Sequence, residues 1–153
     1  MKYIILLIFI QSSLLSFAQR PIVISISLKE AFEQVPSGIQ DTCITQDVIV
    51  EIIFSGNVQR VIPKRDKRLN EVIRHCGFNS KPDWTKVTTE LSVFEDDTRY
   101  WLQLEPAAAD QILSKYRMGE KLIIYGQVIT EYAAEVTSFL IVSKLTQEAE
   151  DGY

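Results

Sequence analysis

The chain has 153 residues, 46% of them apolar, with 16 basic and 20 acidic side chains and a net charge of −4. That length is one domain's worth and suffices for a hydrophobic core without help from a metal. The acidic balance speaks against general binding to nucleic acid or an anionic membrane, which needs a positive surface.

Lys2 precedes an apolar run over residues 4–10, and Ser16-Phe17-Ala18 follows it. These are the n-region, h-region and small-x-small site of a secretory signal peptide. Cleavage after Ala18 is expected, leaving Gln19 first in a 135-residue chain with 15 basic and 20 acidic residues. A retained anchor would need about 20 consecutive apolar residues, and Gln11-Ser12-Ser13 interrupts the run. The protein is therefore expected to be exported, to the periplasm or the extracellular space, with no membrane span after cleavage. Its two cysteines are Cys43 and Cys76. In an oxidising compartment a lone pair in one domain usually bonds, so a disulfide is expected, with two buried thiols as the alternative.

Ahead of the main domain, residues 22–24 read as a short strand. Ser27-Leu28-Lys29-Glu30 has the form of a capping box, and the helix behind it puts Leu28, Ala31, Phe32 and Val35 on one face. Pro36-Ser37-Gly38 ends it. Over 47–62, Val48, Val50, Ile52, Phe54, Val58 and Ile62 share one parity, and Glu51, Ser55, Asn57 and Gln59 take the other. This predicts one long strand, bent at Gly56. Residues 63–82 form a charged insertion with a helix over 68–76.

A strand over 84–95 is expected to turn Val87, Thr89, Leu91 and Val93 inward. It returns over 99–105 with Tyr100, Leu102 and Leu104 inward. A two-residue turn at Asp96-Asp97 places Val93 opposite Tyr100 and Leu91 opposite Leu102, so the two apolar faces coincide. Pro106 opens a helix with Ala109, Ile112, Leu113 and Tyr116 as its stripe and Gly119 at C′. Strands over 122–129 and 138–145 follow, joined by a polar connection over 131–135. The organisation predicted is a signal peptide (1–18), a strand and helix packed on the main domain (19–46), the main domain (47–146) and an acidic tail (147–153).

Five strands with a helix between the third and fourth, and a long bent first strand, resemble the OB-fold, a five-stranded Greek-key barrel. The sharpest local piece is Met118-Gly119-Glu120-Lys121-Leu122-Ile123-Ile124-Tyr125-Gly126-Gln127-Val128. It looks like the G-(D/E)-x-(V/L)-x-(I/V)-x-G-x-V fourth strand of many OB domains. The layout of signal peptide, Ser27–Ala31 helix and 48–58 strand is similar to that of small exported bacterial OB-fold proteins of the periplasm. Similarity to the netrin-like module is weaker, because its N-terminal cysteine pattern is missing. The resemblance implies an all-β fold with minor α, a five-stranded OB-like barrel carrying a short N-terminal helix. It brings no catalytic residues with it, and fold does not fix function.

His75 is the only histidine, and it adjoins Cys76, which has no thiol to activate if it is bonded. Cys43, His75 and Cys76 lack the paired-ligand spacing of a metal site. Glu95, Asp96 and Asp97 read as turn formers. No catalytic residue, metal or cofactor is expected.

The outward side of the hairpin carries Trp84, Lys86, Glu90, Ser92 and Phe94 on one strand and Arg99, Trp101 and Gln103 on the other. OB-folds commonly bind ligands on this face, with aromatic rings as platforms. The alternative is that the N-terminal helix or the chain's own tail covers the rings. Arg60, Lys64, Arg65, Lys67, Arg68 and Arg74, against Asp66 and Glu71, give the connection between the first and second predicted strands a local charge of +4. That suits an anionic partner, or else is a solvated loop.

The function expected is a non-enzymatic binding module, with Arg60, Lys64, Arg65, Lys67, Arg68, Phe94, Arg99 and Trp101 as the candidate site. Its partner would be an envelope or extracellular protein. The alternatives are an oligosaccharide or polyanion, such as an anionic glycan, or a structural accessory role in an envelope complex. Nucleic acid is not expected.

Overall fold

The computed structural model describes residues 27–33, 43–81 and 83–147. The signal peptide over 1–18, the strand over 22–24, the helix end at Pro36-Ser37-Gly38 and residues 148–153 of the tail predicted over 147–153 lie outside those residues, and Gln147 is the last residue of a strand.

Among the described residues six strands form one sheet: β1 (Cys43–Ile53), β2 (Val58–Arg60), β3 (Thr89–Glu95), β4 (Thr98–Leu104), β5 (Lys121–Tyr132) and β6 (Val136–Gln147). Their order is β1-β5-β6-β4-β3-β2. Every neighbouring pair is antiparallel except β4 with β6, which is parallel over Leu102–Leu104. The strand predicted over 47–62 is thus two strands. Gly56 has φ +75, where a side chain would be strained, and residues 54–57 leave the ladder.

The two halves stay with different neighbours. The Phe54 N–H donates to the Glu120 carbonyl (2.8 Å), beside β5, and the Ser92 N–H donates to the Asn57 carbonyl (3.1 Å), joining β2 to β3. β1 and β2 end the strand order on opposite sides, yet only four residues connect them. The sheet must curl until its edges approach each other. At Gly126 the β5–β6 register shifts, and a Cβ there would collide with the Ile141 carbonyl. Glycine permits that close approach.

Among the described residues three α-helices accompany the sheet: α1 (Leu28–Glu33), α2 (Pro63–His75) and α3 (Pro106–Lys115). α2 and α3 both begin with proline, at a position where the missing N–H would have had no partner. α2 starts five residues earlier than predicted. None of the helices among the described residues is long and apolar enough to cross a membrane.

Two apolar clusters hold these layers together. The first lies on the inner side of the sheet: Val50, Leu91, Leu102, Ile124 and Leu140 meet Ala108 and Ile112 of α3 and Leu28 and Ala31 of α1. Complete burial of Leu28 contributes about 2 kcal/mol towards docking the six-residue α1. The second lies on the other side, where Leu69, Val72 and Ile73 of α2 pack on Trp84, Ile129, Phe139 and Ile141.

Several predicted details change. Trp84 to Lys86 form a 3-10 turn rather than strand, and Trp84 is buried in the second cluster. Val61 is buried and Ile62 is 40% exposed, because the break at residues 54–57 ends the predicted alternation. Leu113 is 67% exposed, since Ala108, Ala109 and Ile112 already fill the buried arc of α3. Gly119 sits in the turn closed by the Glu120 N–H to the Arg117 carbonyl, not at the C′ of α3, whose cap Tyr116 is extended.

Candidate functional site

The β3–β4 hairpin positions the aromatic part of the candidate site. Asp96 and Asp97 both have positive φ (46 and 61), the pattern of a two-residue type I′ turn. The register is the predicted one: Val93 lies opposite Tyr100, Leu91 opposite Leu102, Ser92 opposite Trp101 and Phe94 opposite Arg99. Alternation then sends Tyr100 towards the core and Arg99 and Trp101 outward.

α1 docks at the base of this turn. Glu95 accepts from the backbone N–H groups of Leu28 (3.0 Å) and Lys29 (2.8 Å). The capping box is formed, with Ser27 N–H donating to Glu30 Oε2 (2.9 Å) and Glu30 N–H donating to Ser27 Oγ (3.1 Å). Phe32 stacks on Tyr100 at a centroid distance of 5.4 Å. α1 therefore packs on the core-facing ring, and Phe94 stays 56% exposed.

On the outward side the side chains form a ladder. The Arg99 guanidinium carbon is 4.7 Å from the Phe94 ring centroid and 5.7 Å from that of Trp101. Arg65 of α2 covers Trp101 at 4.2 Å. Guanidinium groups stack on aromatic faces through the ring quadrupole. Beside Phe94 is a hollow of about 170 Å³ lined by Leu28, Glu51, Ile53 and Glu95, and Ile53 is itself 53% exposed.

Of the remainder of the predicted outward face, Lys86 is exposed and the other residues are covered by the chain itself. Glu90, Ser92 and Gln103 are buried on the α2 side of the sheet. Glu90 accepts from Arg65 Nε (2.8 Å) and from Gln59 Nε2 (2.8 Å). Ser92 Oγ and Gln103 Oε1 have no hydrogen-bond partner among the described residues.

A second buried carboxylate, Glu131, accepts from Arg68 Nη2 (2.7 Å) and contacts His75 Nδ1. Arg68 Nη2 also donates to Thr137 Oγ1 (3.0 Å). Glu131 is the register partner of Cys43, and Cys43 is bonded to Cys76 with a Cα–Cα distance of 5.4 Å. The covalent tie and the charge cluster thus hold the same end of α2. Sequence reasoning missed both acceptors; the available signal was an acid inside a strand, Glu90 beside Leu91 in β3 and Glu131 as the one acid of the mostly apolar β5.

The six cations do not share one groove. Arg65 and Arg68 turn inward to Glu90 and Glu131. Lys67 pairs loosely with Glu71 (4.0 Å) on the surface, a contact worth little. Lys64 and Arg74 are exposed on α2. Arg60 is on β2, at a groove shared with Leu113 of α3.

Trp84 Nε1 donates to Glu105 Oε1 (3.0 Å). Burial pushes the Glu105 carboxyl up from its ordinary value; the Trp84 bond and Lys81 oppose this, and Asp83 adds to it. Cys76 is in the disulfide and offers no thiol to His75. The arrangement is suited to contact: a partly exposed aromatic ladder with the Arg99 guanidinium beside both rings and Arg65 over Trp101. No family model, curated protein or solved structure matches the chain.

Proposed function

We propose that the chain is an exported, non-catalytic OB-fold module that binds a protein partner through Phe94, Arg99 and Trp101. The observation that carries this is the exposed ladder itself. Phe94 is more than half exposed, and among the described residues Arg99 pairs with no carboxylate. Aromatic residues and arginine dominate binding energy at protein interfaces, and an exposed apolar patch marks an interaction site.

Four features support an OB barrel: a first strand divided between both edges of the sheet, the β2-β3-β4 run, the parallel β4–β6 pair and α3 between β4 and β5. Export is supported by the residue pattern ending at Ala18 and by the disulfide. The division of the cations among three places weakens the case for a polyanion ligand.

A photo-crosslinking amino acid at position 94 tests the proposal, with the same group at Lys144, exposed on β6, as control. Irradiation in extract of the source cells should give a discrete adduct at 94 and none at 144. Equal labelling at both positions would remove this face from the function.

A further inference from the structure

We infer that the outer edge of β2 accepts an extended, carboxylate-bearing strand of a partner protein. This site lies apart from the Phe94–Trp101 face and does not depend on it. β2 ends the strand order, and β3 is its only neighbour among the described residues. Asn57 and Val61 bond to Ser92 and Thr88, so alternation makes Gln59–Glu90 the bonded pair between them. The N–H and C=O groups of Val58 and Arg60 then face away from β3. Among the described residues no backbone hydrogen bond reaches them.

Two adjoining hollows border β2, of about 410 and 370 Å³, with Arg60 and Thr88 in both, Thr89 in the larger and Asp66 in the smaller. Leu113 lines one and Ile62 the other, and both are exposed. Unpaired strand groups beside apolar hollows are what strand addition uses: main-chain bonds give affinity, and alternate side chains enter the pockets.

Arg60 decides the occupant. Two copies pairing edge to edge would bring Arg60 close to its own counterpart, and like charges across a strand pair are destabilising. A strand with glutamate or aspartate at that position turns the same charge into an attraction.

The test uses three acetylated, amidated peptides: Val-Glu-Val-Glu-Val, its lysine counterpart, and the glutamate peptide N-methylated at alternate residues. Each is titrated into the isotope-labelled protein. The glutamate peptide should shift the Val58 and Arg60 amides saturably and slow their hydrogen exchange, and the N-methylated peptide should do neither. Arg60→Glu should weaken the glutamate peptide about tenfold and reverse the preference towards lysine. Overturning results are no saturable change at the two amides, an equal response to the N-methylated peptide, or protection that grows with protein concentration alone. The last would place a second copy on the edge.

Discussion

Arg65 lies over Trp101 with its guanidinium carbon 4.2 Å from the ring centroid, while its Nε donates to Glu90 at 2.8 Å. One side chain neutralises a fully buried carboxylate and shields one face of the Trp101 ring. Arg65→Met strands the Glu90 charge, and should lower stability by about 3 kcal/mol. Adding Glu90→Met to that variant should recover most of the loss, because no unpaired charge remains. Urea unfolding of both single variants and the double variant checks this, and purely additive losses would refute the coupling.

The Cys43–Cys76 bond closes a separation of 33 residues between β1 and the end of α2. Replacing both cysteines with serine should lower stability by about 2–4 kcal/mol. The first cluster does not include that helix and should persist. Circular dichroism should therefore keep its strand signal in the variant. Wild-type protein denatured without reductant should bind no thiol reagent.

Glu105 carries a pH signature. Its carboxyl is raised above the ordinary 4.5, first by burial, so the folded state holds the proton more tightly than the unfolded state. Its stabilising contribution is full below 4.5 and is lost as pH rises through the folded value. Glu105→Gln keeps an oxygen acceptor for Trp84 Nε1 and removes the titration. The variant's stability relative to wild type should rise from pH 3.5 to pH 7, measured by thermal unfolding; a flat difference would remove Glu105 as the cause.

The hairpin turn is open to improvement. Asp96 and Asp97 both occupy the left-handed region, where Asn-Gly is the preferred pair. Asp96→Asn with Asp97→Gly should raise stability by about 1 kcal/mol and leave the Phe94–Arg99 register intact. Asp97→Val should lower stability. Unfolding midpoints of the two variants check the order.

What could be read from sequence was local. The hairpin register follows from parity on two flanking strands, and the capping box from Ser27 and Glu30 three residues apart. The cysteine pair required only a compartment and a count of two. The cover provided by α2 was not readable, because the stripe of Leu69, Val72 and Ile73 identifies an apolar face but not what it meets. Glu90, Ser92 and Gln103 looked solvent-facing by alternation and are buried by that helix. Arg60, Arg65 and Arg68 are equivalent cations in sequence, and only tertiary placement separates an edge residue from two buried-acid partners.

The ladder is most directly tested by affinity capture from extract of the source cells, with wild type, a Phe94→Ala/Arg99→Glu variant and a Lys144→Glu control as baits. Both mutated ladder residues are exposed, so the fold should be retained. Capture of the proteins retained by wild type and by the control should fall at least about tenfold with the double variant. Capture of the same proteins in equal amounts by all three baits would contradict it.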